Sequence, residues 1–499
     1  MKNIETRRAQ LSGAKRALLE KRLRGEGAGS TKFIHRRPDN GPAPLSFAQQ
    51  RLWFLDQLMP GSAYNSPGAF RIESAIDVAL VERIVNEIVR RHEVLRTTFH
   101  SMAGEPFQVV APVLTIPVAV VDLGNLSETN REAEIKRLAT EEAQRPFDLA
   151  QGPLLRVTLL RLGDHEHVFL VTMHHIVSDG WSIGVFIREA LALYGALSNG
   201  APSPLAELPI QYADFAVWQR GWLQGEVLEE QLGYWRRQLA DTSVLQLLTD
   251  RPRPVVQTSR GKRQSLALPK TLSEALKTLS RQEGTTLFMT LLAAFKVLLH
   301  RYTGQDDLVV GTPIANRNRL EIDALIGFFV NTLVLRSDLA GNPSFRELLR
   351  RVREVCLGAY THQDLPFERL VEELRLERDL SRNPLFQVMF VLENTSLRAA
   401  ELPGLTLSAI EADSETALFD LTLQILDANQ GLTAAFVYNT DLFEAATIAR
   451  MLRNFQTLLE AVVGDPEQHL SNLALLTDAE RRQLLVEWND TKTDDVQDG

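Results

Sequence analysis

Residues 173–182 read MHHIVSDGWS, which places two adjacent histidines, an aspartate four positions after the second, and then Gly180, Trp181 and Ser182 in one short stretch. An imidazole with an ordinary pKa near ~6.5 can accept a proton at neutral pH, ligate a metal or serve as the base of a nucleophilic triad. The metal reading meets a geometric obstacle. Ligands on one strand want i,i+2 spacing and ligands on one helix i,i+4, whereas adjacent strand residues point to opposite faces. No CxxC or HExxH supplies further ligands, so no metal is expected. A hydrolytic triad lacks its nucleophile, because no G-x-S-x-G elbow occurs. The one cysteine, Cys356 in RRVREVCLGAY, reads as a packed thiol on a helix.

A histidine base without a nucleophile of its own suits a reaction whose attacking group arrives on a second substrate, such as acyl transfer to an amine or hydroxyl. The plain alternative makes both histidines hydrogen-bonded core residues. It must then also account for an aspartate and a glycine at a strand-to-helix junction, where helix N–H groups carry partial positive charge.

The elements that would position these residues follow from periodicity. HVFLVTMHH is β-rich and forms a hairpin with LLRVTLLRL across residues 163–166, and WSIGVFIREALALYGAL reads as the helix that follows the motif. Upstream lie a helix in FAQQRLWFLDQLM, an amphipathic helix in VALVERIVNEIVRRHEVLR and a hairpin in TTFHSMAGEPFQVV that turns at Gly104. Past the proline-rich breaks APSPLAELP and DRPRPVVQT the pattern restarts. There RQSLALP, DLVVGTP and FFVNTLVLRSDL read as strands, and TLSEALKTLSRQEG and TLFMTLLAAFKVLLHRY as helices. The 499 residues thus divide into a basic helical leader and linker (1–43), a first α/β unit carrying the motif (44–225), a second (226–475) and a polar tail (476–499). The first 25 residues hold eight Lys/Arg against two Glu, either a solvated helix or an arm for an acidic partner.

Bulk composition excludes several classes. A net charge of −9 leaves no footprint for nucleic acid. The most apolar helix is broken by Lys296 and too short to span a bilayer, and no signal peptide is legible, so no membrane segment is expected. A single cysteine permits no intramolecular disulfide and fits a cytoplasmic setting.

Seven collinear motifs give the chain a family likeness: SFAQQRLWFL (46–55), RHEVLRTTF (91–99), MHHIVSDGWS (173–182), YADFAVWQR (212–220), IGFFVNTLVLR (326–336), HQDLPFERLV (362–371) and RDLSRNPLFQVMF (378–390). Together they resemble the condensation domains of nonribosomal peptide synthetases from about Leu45 to Leu475. The resemblance implies an α/β fold of two chloramphenicol-acetyltransferase-like lobes, a V-shaped pseudo-dimer with the active site in a tunnel at their interface. It implies amide formation between a donor acyl or peptidyl thioester and the amine of an acceptor aminoacyl thioester. Each would be held on the phosphopantetheine of a carrier protein, and no cofactor would be bound tightly.

Residue by residue, the resemblance makes His175 the tunnel-facing histidine, which either takes the ammonium proton or holds the amine in line. Asp179 is expected to pair with Arg51, with Arg145 of RPFDL as a second candidate cation. Gly180 would let the thioester approach the backbone and offer its N–H to the oxyanion. His174 is then structural, Trp181 packs beneath the loop, and Ser182, Thr312 and Asn331 line the tunnel. The glutamate segment of epimerases and the DxxxxDxxS of heterocyclases are absent, and the wording looks most like the branch joining an L donor to an L acceptor.

A closely similar starter branch acylates the first amino acid from fatty acyl-CoA. If Met1 is the natural start, the donor comes from another polypeptide or from acyl-CoA. The tail LLTDAERRQLLVEWNDT looks like the linker into a C-terminal adenylation domain. Two rival readings are a stand-alone HxxxDG acyl-CoA-dependent acyltransferase, whose plant members carry a DFGWG-like motif missing here, and a non-catalytic recruitment domain.

Overall fold

A computed structural model describes residues 33–489 apart from 40, 59, 375–378, 395–398, 403–404, 411–415 and 429–430. The basic arm expected in the first 25 residues and the last ten residues of the tail lie outside the described residues.

The first half of the chain contains strands β1 (Ala43–Pro44), β2 (Asn65–Glu73), β3 (Thr97–Met102), β4 (Glu105–Val110), β5 (Val118–Asp122), β6 (Leu155–Arg161) and β7 (Glu166–His174). Its helices are α1 (Phe47–Leu58), α2 (Val78–Arg91), α3 (Glu128–Gln144), α4 (Gly180–Leu197) and α5 (Tyr212–Trp222), and α6 (Gly225–Gln238) leads across the expected boundary into the second half's core, which it joins at Leu232 and Trp235. Helix α2 shows why the pattern folds as it does. The side chain of Asp77 caps the first turn by accepting from Ala79 N, and Val81, Ile84, Val85, Ile88 and Val89 fall on one buried face at three-four spacing. The expected hairpins form, with β3 and β4 paired around Gly104 in the left-handed region and β6 paired antiparallel to β7.

The second half contains β8 (Gly261–Ala267), β9 (Asp307–Ile314), β10 (Asn331–Asp338), β11 (Val388–Asn394), β12 (Ala399–Leu402), β13 (Leu405–Ile410), β14 (Leu421–Ala428) and β15 (Gly431–Asn439). Its helices include α7 (Lys270–Gln282), α8 (Leu287–Thr303), α9 (Leu320–Asp323), α10 (Phe345–Thr361), α11 (Phe367–Leu374) and α12 (Ala445–Gly464).

Two mixed six-stranded sheets organise the described residues, in the orders β12-β13-β2-β7-β6-β5 and β10-β9-β11-β14-β15-β8. Strand β7 is central in the first, and its side chains from His167 to His174 are buried, which is why HVFLVTMH lacks the alternation of a half-exposed strand.

The halves are less separate than a boundary at 225/226 implies. Strands β12 and β13 belong by sequence to the second half, yet β13 pairs with β2 from Thr406↔Glu73 to Ile410↔Ala69 and covers what would be an open edge. Ile322, Leu325, Ile326 and Phe329 likewise enter the first half's apolar core. The linker expected up to residue 43 is already packed at Ile34, which joins that core, and at Arg37, whose backbone N–H donates to Asp214 Oδ1 at 3.0 Å.

Close approach between the halves also fixes one glycine. A Cβ on Gly327 would lie 2.0 Å from a ring carbon of Tyr212, so the IGFF segment can run under α5 only without a side chain at that position.

Candidate active site

Strand β7 delivers the histidine pair to the seam between the halves, and the alternation of strand side chains separates them. His174 is 1% exposed, whereas His175 is only partly buried and begins a short turn over His175–Val177. His174 Nδ1 accepts the Ile176 N–H at 3.1 Å, which assigns the ring hydrogen to Nε2. At His175 the arrangement is reversed. Its Nδ1 lies 3.1 Å from Ser178 O, which can only accept, so Nδ1 carries the hydrogen and Nε2 is left with a bare lone pair. The His175 N–H donates to Tyr64 O at 2.8 Å, and its ring lies 5.7 Å from that of Phe328.

Burial lowers the basicity of both rings, because the charged form loses its hydration. For His174 the pKa falls to about 3, with the neighbouring imidazole contributing in the same direction. For His175 burial outweighs the opposing pull of the Ser178 carbonyl and the Asp179 charge, so it stays neutral to lower pH than a free imidazole.

Asp179 ends the loop as the N-cap of α4, accepting from Ser182 N at 2.8 Å. Its cation is neither of those expected. Arg317, from the second half, places Nη2 at 3.2 Å and 3.4 Å from the two carboxylate oxygens, with side-chain exposures of 1% for Arg317 and 0% for Asp179. Arg317 Nη1 also donates to Ile322 O and Leu325 O at 2.7 Å each, and its guanidinium lies 4.3 Å from the centre of the Phe329 ring. Phe329 N donates to Asp179 Oδ2 at 3.0 Å.

Arg51 is engaged elsewhere. It meets Glu368 Oε1 at 3.3 Å and lies over Phe367, so Arg51 ties the first motif to HQDLPFE, while the first motif's link to the histidine loop is Gln49, whose Nε2 donates to Ile176 O at 3.1 Å. Arg145 is exposed at the end of α3 and contributes its backbone oxygen, which accepts from Asn65 Nδ2 and Arg156 Nη2.

Several other assignments change for one reason: the side chain's hydrogen-bonding capacity is already used. The buried Ser182 hydroxyl lies 2.6 Å from Asp179 Oδ1 and 2.9 Å from Gly327 O, and accepts from Gly327 N at 3.0 Å. It joins the halves and does not line an open channel. Thr312 donates to Phe390 O at 2.8 Å inside the second sheet. Asn331 Nδ2 donates to Gln363 O and Leu365 O, and its Oδ1 accepts from Thr332 N and Phe367 N. Both brace the second half, and of the two only Asn331 also lines the crevice between the halves. Trp181 is 42% exposed and donates to Asp323 O at 3.0 Å, so it spans the seam at the surface and does not pack beneath the loop.

Gly180 is exposed at the first position of α4, and a Cβ built on it meets no atom within 4 Å. Its N–H belongs to the helix's first turn, where donors lack partners within the helix. A narrow crevice between the halves, with room for little more than one water, is lined by Ser46, Phe215, Asn316, Phe328, Asn331 and Glu368, among others.

Sequence reasoning missed four residues that hold the site together. Arg317 stood three residues past the strand DLVVGTPI, in a stretch read only for Thr312; a buried N-cap aspartate in need of a cation was the signal that could have found it. Tyr212 donates to Phe328 O at 2.6 Å and bonds Ser46 Oγ at 2.9 Å. His92 accepts from Ile326 N and meets Glu189 at 3.0 Å. Asn65 anchors the end of α3.

Among the described residues no cluster of three or more His, Cys, Asp or Glu could hold a metal, and no helix is long and apolar enough to cross a membrane. Burial pushes the Cys356 thiol up to about 12, which leaves it a poor nucleophile.

The chain matches the family model described as Condensation domain over residues 40–485. It is 55% identical over 454 residues to a linear gramicidin synthase polypeptide of Brevibacillus parabrevis, covering 90% of this chain and 9% of that protein. It is 48% identical over 491 residues to phosphinothricin tripeptide synthetase PhsC of Streptomyces viridochromogenes, covering 97% and 45%. Among solved structures, the X-domain from teicoplanin biosynthesis superposes with a TM-score of 0.82 at 30% identity, covering 89% of this chain and 100% of that one. The four-domain nonribosomal peptide synthetase holo-AB3403 gives 0.80 at 25% identity, covering 88% and 34%. The chain therefore spans less than half the length of these two curated relatives.

Proposed function

The chain belongs to the condensation-domain family of nonribosomal peptide synthetases, which are amide-forming acyltransferases, and on that premise we propose that His175 and Gly180 form its reacting centre. The acceptor's amine nitrogen attacks the carbonyl carbon of the donor thioester, the C–S bond breaks, and an amide and a free phosphopantetheine thiol result. The bare Nε2 lone pair of His175 carries this reading, because it can accept a hydrogen bond from the amine and aim the nitrogen lone pair at the carbonyl.

Lowered basicity favours holding the amine over removing its proton. A free α-amine has a pKa near ~7.7–8.0, so a useful fraction arrives neutral. Open space over Gly180 at the start of α4 suits the approach of a thioester, with the Gly180 N–H facing the oxygen on which charge develops.

Donor and acceptor carrier proteins deliver the substrates, an adenylation domain follows in the assembly line, and the reaction runs in the cytoplasm. The donor is an L-configured acyl or peptidyl thioester, with fatty acyl-CoA as the starter alternative. His175→Ala tests the assignment. In an assay with a loaded acceptor carrier, the variant is expected to lose about 10²-fold or more of product formation at unchanged folding, and near-normal turnover removes His175 from the mechanism. Offering L-aminoacyl carrier and fatty acyl-CoA in parallel, with products read by mass, separates the donor branches.

A further inference from the structure

Strands β2 and β7 pair with Asn65 opposite His174. The next pair, Tyr64 and His175, carries the backbone bond from His175 N to Tyr64 O, so Asn65 and His174 form the intervening pair without backbone bonds. In such pairs the Cα atoms are only ~4.5 Å apart and both side chains stand on one face.

Each of these side chains has its chemistry fixed by other contacts. Asn65 Nδ2 donates to Ala143 O at 2.7 Å and to Arg145 O at 2.8 Å, which leaves Oδ1 as the acceptor. His174 Nδ1 accepts from Ile176 N, which leaves Nε2–H as the donor. Asn65 Oδ1 and His174 Nε2 are both buried without a partner. A complementary donor and acceptor thus sit on facing positions, and each unpartnered costs about 1–3 kcal/mol by general experience.

We propose that Asn65 is a positioning residue for the catalytic loop, acting through His174 by way of one buried water that accepts from His174 Nε2–H and donates to Asn65 Oδ1. The bridge completes a continuous path. It runs from the last carbonyls of α3, through the Asn65 amide, to the His174 ring, and from there to the Ile176 N–H on the far side of His175. The other route to satisfying the His174 N–H is the Phe147 ring, which lies edge-on at 6.2 Å with Arg156 stacked over it. An N–H to ring contact is the weaker of the two and leaves Asn65 Oδ1 orphaned.

The kinetic part of the test rests on the condensation reading, whereas the spectroscopic part does not. Asn65→Leu keeps the bulk and removes both the anchor and the acceptor. Histidine ¹⁵N spectra of the wild type are expected to show His174 as the neutral Nε2–H tautomer with a slowly exchanging ring proton. In Asn65→Leu that proton exchanges at least about tenfold faster, and kcat for amide formation falls about tenfold with the acceptor KM within about twofold. Unchanged ring-proton exchange in Asn65→Leu, or exchange that responds to Phe147→Leu instead, overturns the proposal.

Should Asn65→Leu not fold, a high-resolution crystal structure of the wild type decides. A water peak within hydrogen-bond reach of both atoms supports the bridge, and its absence there refutes it. If the ring proton depends on Asn65 while the wild type forms no amide from any carrier-bound pair, the positioning path stands and the functional reading fails.

Discussion

Replacing Arg317 with methionine tests the central claim about the site, namely that Asp179 at the end of the histidine loop is held by Arg317 from the second half of the chain and not by Arg51 of the first motif. The substitution removes a guanidinium that is 1% exposed and leaves Asp179, at 0%, without its cation. Breaking a buried ion pair from one side typically costs about 3–5 kcal/mol. Two features pull in opposite directions within that range. Asp179 keeps three donors, Ser182 N, Ser182 Oγ and Phe329 N, which moderates the loss. The carbonyls of Ile322 and Leu325 lose their partner, which adds to it.

For a folding unit of roughly 200 residues, with about 2–4 °C per kcal/mol, the expected fall in Tm is about 6–20 °C. Arg51→Met is the control. Its ion pair with Glu368 is made by a side chain 36% exposed, so its cost stays within about 1 kcal/mol. The assay is thermal unfolding of both variants, with amide formation measured well below either midpoint. There Arg317→Met is expected to lose activity as well, because Asp179 and Ser182 set the start of α4. An Arg317→Met midpoint within about 1 °C of wild type, or an Arg51→Met loss as large as that of Arg317→Met, refutes the reasoning.

Three further outcomes follow from the same contacts. His174 titrates near 3 in the folded chain and near 6.5 when unfolded, so the unfolded chain binds the extra proton between those values. Stability therefore falls as pH drops from about 6.5 towards 3, by up to about 1.4 kcal/mol per unit; a urea midpoint series at decreasing pH should show a shallower slope in His174→Gln. Burial lowers Lys296, whose Nζ donates to Leu335 O and Ser337 Oγ, from 10.5 to about 7. The unfolded chain then holds the proton that the folded chain releases, so stability rises between about pH 7 and 10.4, and Lys296→Met should remove that rise in denaturant titrations. Gly180→Ala meets no atom within 4 Å, so its Tm should match wild type while the added methyl obstructs the thioester, which predicts a drop in kcat/KM of about tenfold or more in the carrier assay.

What could be read from the sequence was what depends on neighbours along the chain. The period of two in a strand separated His174 from His175, and structure places them at 1% exposure and partial burial respectively. The periods of α2 and the turn at Gly104 were equally local. The partner of Asp179 was not local, for Arg317 lies 138 positions away. Arg51 has the right charge, but α1 faces α11 and its carboxylate is Glu368. Thr312, Ser182 and Asn331 carry polar groups at plausible places, yet whether a polar group is free or spent is decided by the tertiary contacts around it. The transfer of β13 onto β2 was hidden for the same reason, since a strand's sequence records its own faces and not the edge it joins.

The position of Asp179 also explains why the motif needs a carboxylate there and not merely a helix cap. An asparagine could accept from Ser182 through its oxygen, but its amide nitrogen would then face two further donors, Phe329 N–H and the Arg317 guanidinium. Only a group with acceptors on both oxygens, and a charge to set against Arg317, satisfies all four contacts at once. The same carboxylate therefore starts α4, fixes the 326–329 segment and neutralises the cation that reaches across the seam. Phe328, on that segment, is the ring beside His175. On the proposed reading, the start of α4 that carries the Gly180 N–H, and the segment that sets Phe328 beside His175, are fixed by one buried charge pair before any substrate arrives, which is the preorganisation that a reaction built on placing an amine against a thioester requires.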